Sequence, residues 1–343
     1  MKRIGFDSLV EFGVRLLAGR GVPRATAERI SRLIVEAEAF RQSTHGIVLF
    51  KAIDGKLDEG LAPAGEPEVV RDAGGMGLID GSRCLGLLAY ARACEMAQIK
   101  ARDHRVAFVG VRNTTWVGAL GIPLVALARA GLLVQAWAQT NTCRDCAPVG
   151  GIDARFSTNP MALAIPTAGD PILADFSTAT MSLSAAAALA ARGARATTPR
   201  FLDDHGNATD DPAVLDAGGS LLFAGGDVDG HKAYAMSLFI EALTVVIGGS
   251  ANNPEVPMSQ SLALVAIDPA SFAGAEYYTA EMKRFQAHVR TSRVRPGWEG
   301  VRFPGERGFA ALAESRARGV PLDERKLEIL RDLATRHGLE PVG

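Results

Sequence analysis

The chain lacks any apolar run long enough to cross a bilayer. The most apolar stretch, near residues 235–249, is too short and contains Glu241. Nor does the first stretch read as a leader: MKRIGFDSLVEFGVRLLAGRGVP is broken by Asp7, Glu11 and Arg15, with no small-residue cleavage site after an apolar core, so no signal peptide is expected in it. These features read as a cytoplasmic protein without membrane association. Charge of one sign is missing too. With 37 Lys and Arg against 38 Asp and Glu, the net charge is −1, so no overall field draws nucleic acid or anionic lipid. Cysteine is scarce: Cys84, Cys94, Cys143 and Cys146. The last two form CRDC, but no second CxxC or nearby histidine completes four ligands, and no helix start follows to lower a thiol pKa. Free thiols and no metal are expected.

The dinucleotide fingerprint is absent as well. No GxGxxG joins a strand to a helix, and the nearest match, GGSLLFAGG, has the wrong spacing, which argues against an ordinary Rossmann fold. P-loop, HExxH and GxSxG motifs do not occur. What is present is an ordinary globular composition, 48% hydrophobic and 22% charged, over 343 residues. That length suits one large unit or two to three interlocked subdomains.

Leu9, Val10, Val14 and Leu17 recur at helical spacing over 6–19, with Asp7 or Ser8 as cap and Gly21 as terminator. A second helix is expected over about 23–40 and a short third one after it. A Pro- and Gly-rich connection covers 61–76. Residues 85–104 read as a long helix with Leu85, Leu88, Ala89, Met96 and Ile99 inward. Apolar strands are expected near 106–112, 132–139, 161–166, 171–176 and 262–268. Residues 231–250 read as a long buried helix, and helices near 273–291 and 323–337 finish the chain. Strands interleave with helices, so the class is α/β. The expected division is a helical part over 1–75, a mixed α/β part over 76–270 that holds a cofactor, and C-terminal helices over 271–343 packed on the first part.

Several strand-end loops carry Gly, Asn, Asp and hydroxyl residues: QTNTCRDCAPVGG, FSTNPMALAIP and LADFSTAT. Loops at strand ends are where α/β proteins bind ligands. HKAYAM places Lys232 near a helix start, suited to an anion, and FPGERG is a further tight loop. Each feature alone is also explained by turn chemistry. A single STHG follows the second helix. Its His45 is either a catalytic group or a histidine that ties the helix to the next turn.

These pieces, taken in order, resemble the malate/L-lactate dehydrogenase family that lacks a Rossmann fold. That family includes ureidoglycolate and sulfolactate dehydrogenases, 2,3-diketogulonate reductase and the piperideine/pyrroline-2-carboxylate reductases. The matching segments are STHG, IDGSRCLG, VRNTTWVGALG, APVGG, STNPMALAIP, DFSTA, FLDDHGNATDDP, GHKAYAM and FPGE, so the resemblance spans nearly the whole chain. It implies a sulfolactate dehydrogenase-like fold: a non-Rossmann, mixed-sheet cofactor domain flanked by N- and C-terminal helical parts. It further implies NAD or NADP as cofactor, a small acid as substrate and a homodimer. Carried over by position, cofactor contacts fall on Thr142, Thr158, Asn159, Asp175, Phe176, Ser177, Lys232, Gly305 and Glu306. The resemblance makes His45 an active-site residue, with Thr44 in place of the usual serine.

Two positions depart from the family pattern. Where the family reads N-S-x-H-x-G, this chain has Asn113-Thr114-Thr115-Trp116-Val117-Gly118. Indole donates one hydrogen bond and does not titrate usefully, so Trp116 cannot serve as proton donor; it can stack on a flat or cationic substrate. The family's arginine a few residues after STHG is here Leu49, and Arg41 is the nearest substitute in sequence. Reduction of a ketone needs an acid to quench the alkoxide, whereas a protonated imine does not. Three readings follow: a 2-oxo/2-hydroxy acid oxidoreductase with His45 as acid/base, a reductase of cyclic imino acids or of imines of 2-oxo acids, and a non-catalytic nucleotide-binding member.

Overall fold

The computed structural model describes Met1–Val342. Its centre is a seven-stranded sheet. Across the sheet the order is Glu68–Ala73, Met76–Asp80, Val106–Thr114, Gln260–Ile267, Leu133–Thr140, Pro160–Ile165 and Ile172–Ser177. Only Met76–Asp80 and Val106–Thr114 run parallel among the described residues, joined through the helix Gly86–His104; every other neighbouring pair is antiparallel. A mixed sheet with one crossover has no topological switch point, which accords with the missing Rossmann fingerprint.

Alternation along the strands gives the sheet two apolar faces. Val109, Val111, Val134, Ala136, Leu262 and Leu264 are buried on the face that carries the Gly86–His104 helix and the N-terminal helices. Trp137, Met161 and Ala263 point the other way, against Ile240 of the helix Gly226–Val246. Beyond the sheet lies a small three-stranded unit, Ser220–Leu221, Phe201–Leu202 and Ala208–Thr209. It has its own core of Phe156, Phe201, Leu221 and Phe223, with Phe156 edge-on to Tyr234 at 5.5 Å.

The chain ends are tied together. Lys2–Ile4 pairs antiparallel with Val320–Leu322. The helix Glu324–His337 buries Leu327, Leu330 and Leu333 and packs on Phe6–Gly19 and Val48–Asp58. Arg336 Nη1 donates to the buried Asp54 at 3.0 Å across this seam.

Several local expectations are corrected. The first helix is capped by Gly5 with no side-chain bond, so Asp7 and Ser8 do not cap it. Ile99 lies outward and is 55% exposed. FPGERG (303–308), read as a tight loop, runs into the helix Glu306–Arg318, which is not expected from the sequence. A further short strand, Val320–Leu322, follows the one expected to be last. The helix Gly226–Val246 is not buried all round: Ser237, Ile240, Glu241 and Thr244 face the sheet, while Leu238, Phe239, Val245 and Val246 are exposed. Its apolar content describes two surfaces, of which the single chain covers one.

Candidate active site

His45 closes a 3-10 turn, Ser43–His45, directly after the helix Arg24–Ala39. The turn is held from both sides. Behind it, the Glu38 carboxylate accepts from the Ile47 backbone N–H at 3.1 Å and from Lys326 Nζ at 2.6 Å. Gly46 is required here, because an added Cβ would stand 2.2 Å from Glu38 Oε2. In front, Gln42 Nε2 donates to Asp175 Oδ2 at 2.8 Å, and the Gly121 N–H donates to the same oxygen at 2.7 Å.

This brings Asp175, 130 positions along the chain, beside His45. The imidazole opens to solvent at a cavity yet is enclosed by enough protein that burial lowers its pKa, with the Asp175 charge pulling it back up. Burial raises the Asp175 carboxyl, opposed by the donors from Gly121 and Gln42 and by His45. Thr44 Oγ1 lies 2.9 Å from His45 Nδ1. A hydroxyl on Nδ1 leaves Nε2 as the nitrogen available for proton exchange.

The cavity in front of His45 has a volume of about 380 Å³, in the range of small-molecule sites. Thr44, His45, Ser184 and Gln260 supply its polar atoms, and Val48, Leu49, Ala52, Val117 and Leu120 line it with apolar surface. Trp116 stands at the rim, 38% exposed. Gln260 fastens that loop: its Oε1 accepts from the Val117 N–H at 3.0 Å and its Nε2 donates to Thr140 Oγ1 at 2.9 Å. Arg41 does not line the cavity. In a left-handed conformation (φ 71°), it faces Glu314 at 3.8 Å.

Most of the loops read as cofactor-binding converge on one region. Sheet register sets Pro160 opposite Ser177 and Met161 opposite Phe176. Thr158 O accepts from the Thr178 N–H at 3.0 Å, which joins the STNP and DFST loops. Leu173 N–H donates to Pro304 O at 3.0 Å, bringing Gly305 and Glu306 against the strand that carries Asp175. Gly305 has φ 94°, and a Cβ there would lie 3.0 Å from Leu173 N, so only glycine sits easily. Phe176 is 49% exposed at this edge; Ser177 Oγ donates to Ala179 O at 3.2 Å. Thr142 is half-buried in the turn after Leu133–Thr140.

Two residues are placed differently from the rest. Asn159 is fully buried and its side chain is spent inside the protein: Nδ2 donates to Ser237 Oγ at 2.8 Å and to Glu241 Oε1 at 2.9 Å. Lys232 lies in the second turn of its helix, exposed, and pairs with Asp229 at 2.6 Å. Sequence reading missed Gln42, Gly121, Gln260 and Asp145. Asp145 sits between the two thiols of CRDC and is pushed up to about 6 by burial, against a bond from the Thr158 backbone. Burial raises Cys143 to about 11, which favours the protonated thiol over the nucleophilic thiolate.

The sequence matches the family model described as malate/L-lactate dehydrogenase over residues 4–331. The chain belongs to the malate/L-lactate dehydrogenase family. It is 28% identical to the malate dehydrogenase of Pyrococcus horikoshii over 348 aligned positions, covering 98% of this chain and 96% of that one. It is 27% identical to the L-sulfolactate dehydrogenase of Methanothermobacter thermautotrophicus, covering 97% and 96%. The solved structure of the Pyrococcus enzyme superposes with a TM-score of 0.88 over 99% of this chain and 97% of that one. The delta1-piperideine-2-carboxylate reductase of Pseudomonas syringae superposes at 0.83, with 26% identity and coverage of 97% and 100%. The mixed-sheet, non-Rossmann architecture is thus that of the family, and the protein is an oxidoreductase. No helix is long and apolar enough to cross a membrane among the described residues.

Proposed function

We propose that this family member moves a hydride between NAD or NADP and a 2-oxo/2-hydroxy acid, with His45 exchanging the proton. The observation that carries this reading is the Gln42–Asp175–His45–Thr44 arrangement, which presents Thr44 and His45 to a largely apolar cavity. A bound reduced nicotinamide would supply the hydride. The residues present fit such a group: Pro160 and Gln260, at the starts of two strands, reach the His45 cavity, and the glycine turn at Gly305 leaves close backbone access beside Asp175's strand. Thr158, Phe176, Ser177 and Glu306 would hold it in this reading, with Thr142 beside them; Asn159 acts by shaping the loop.

In ketone reduction, charge develops on the carbonyl oxygen. His45 delivers the proton, Asp175 stabilises the imidazolium form, and Leu49, Val117 and Leu120 exclude water from the reacting carbon. A second reading, imine reduction, is favoured by Trp116 at the rim, a flat π-face where a cationic imine can stack. We further assign a homodimer, in which the exposed Leu238, Phe239, Val245 and Val246 face would be covered, and a cytoplasmic location, compatible with four free thiols.

The test is oxidation of NADH and NADPH with pyruvate, oxaloacetate and a bulky 2-oxo acid, each with and without methylamine, and with a cyclic imino acid. Turnover of a 2-oxo acid alone, lost in His45→Ala, is expected. Turnover only with amine or the cyclic imine moves the assignment to imine reduction. In that case Trp116→His should raise ketone reduction more than imine reduction; equal effects would leave Trp116 as a shape element.

A further inference from the structure

The residues that line the His45 cavity include no lysine or arginine. A carboxylate drawn into apolar surroundings without a cation or full hydrogen bonding is strongly disfavoured. Thr44, Ser184 and Gln260 offer only neutral polar groups and His45 is taken up with the proton, so a full positive charge for an acid substrate has to come from outside the lining. Arg41 is not among the lining residues and points toward Glu314, 3.8 Å away.

The helix Val48–Asp58 supplies one. Val48 and Ala52 line the cavity, and Lys56 follows at the same four-residue spacing, so all three share a face. Lys56 Nζ stands 5.7 Å from the centre of the Trp116 ring, which forms the cavity rim. Its partner at rest is Glu59, three residues on, at 2.6 Å, with side chains 23% and 65% exposed. A pair of that kind is weak and screened, so the lysine exchanges partners easily. The ammonium swings on a four-carbon stem and needs no fixed fork geometry to meet a carboxylate.

We propose that Lys56 is the carboxylate-recognition residue of this site, reaching over Trp116, with Glu59 as its resting counter-ion. This rests on the function proposed above and narrows it. One cation at the rim and a wall of Val48, Leu49, Ala52 and Leu120 select monocarboxylate 2-oxo acids, or their imines, with an apolar side chain. A second carboxylate, as in oxaloacetate, would meet Leu49 or Leu120 and no cation.

Lys56→Met keeps the stem and removes the charge, Lys56→Arg keeps the charge, and Glu59→Gln frees the lysine. KM and kcat are measured for apolar monocarboxylate 2-oxo acids and for oxaloacetate. Oxamate binding to the full chain with NADH is followed separately by calorimetry. Lys56→Met is expected to raise KM and the oxamate Kd at least tenfold with kcat changed less than threefold. Lys56→Arg should stay within about fivefold, and Glu59→Gln should lower KM. Wild-type enzyme should prefer the apolar monocarboxylates. A Lys56→Met enzyme with KM and Kd within twofold of wild type overturns the proposal and leaves the function standing. If no 2-oxo acid or imine is turned over, the function fails, and oxamate still decides Lys56: binding weakened tenfold supports it, and no binding to wild type overturns it.

Discussion

The turn that carries His45 hangs on an ion pair between two parts of the chain 288 residues apart. Glu38 and Lys326 have side chains only 4% and 10% exposed. Burial raises the Glu38 carboxyl, and Lys326 and the Ile47 N–H pull it down. Lys326→Met leaves the carboxylate with the Ile47 N–H alone. Removing one member of a buried pair costs about 3–5 kcal/mol. Protonation of Glu38 caps that cost. At pH 7 the proton must be taken up 2.5 units above the ordinary 4.5, which at about 1.4 kcal/mol per unit is about 3.5 kcal/mol. At pH 5 the same step costs under about 1 kcal/mol. The sign follows: in the variant the folded-state pKa of Glu38 rises further, so stability is fullest below the unfolded value and is lost as pH rises through the folded one. Urea denaturation of wild type, Lys326→Met and Glu38→Gln/Lys326→Met between pH 5 and 8 tests this. Relative to wild type, the single variant should lose about 3 kcal/mol at pH 7 and recover most of it at pH 5, whereas the double variant's difference from wild type should be smaller and change much less with pH. A deficit of the same size at every pH, or a double variant as unstable as the single one, would refute the reasoning.

Two further outcomes are expected. Since burial lowers His45 below the ordinary imidazole pKa, reductive kcat/KM should fall as pH rises through an inflection below that value. Asp175→Asn removes the charge that raises it, so the inflection should move lower still, whereas an unmoved inflection would separate Asp175 from proton transfer. Gly86→Ala would put a Cβ 2.3 Å from Thr115 O and 2.5 Å from Trp116 O, so about 1–3 kcal/mol of stability should be lost in thermal unfolding; a silent substitution would mean the rim loop is loosely packed.

Much of this protein is written locally. Leu9, Val10, Val14 and Leu17 specify the first helix face because one turn buries every third or fourth residue. Val109 and Val111, or Leu262 and Leu264, specify strands by alternation. STHG, the strand-end loops and the absence of GxGxxG were enough to resemble the right family and to expect a mixed sheet. Local pattern misled where one helix serves two surfaces: the apolar residues of Gly226–Val246 read as burial, and most of the large ones are exposed. It also failed at Glu306–Arg318, where FPGERG looked like the whole feature rather than the start of a helix.

The site itself was decided by tertiary structure. From the sequence, Asp175 is expected as a cofactor contact in a strand-end loop, with nothing to place it beside His45. It meets His45 because the edge strand Ile172–Ser177 is placed by its register with Pro160–Ile165, and because Gln42 and Gly121 converge on one of its oxygens. Likewise, Arg41 is nearest to the turn in sequence yet faces Glu314, while Lys56, two helical turns beyond Leu49, reaches the rim. Periodicity reports which side of an element is buried. It carries no information about which distant element does the burying, and that pairing, set by sheet register and helix docking, puts charge next to imidazole.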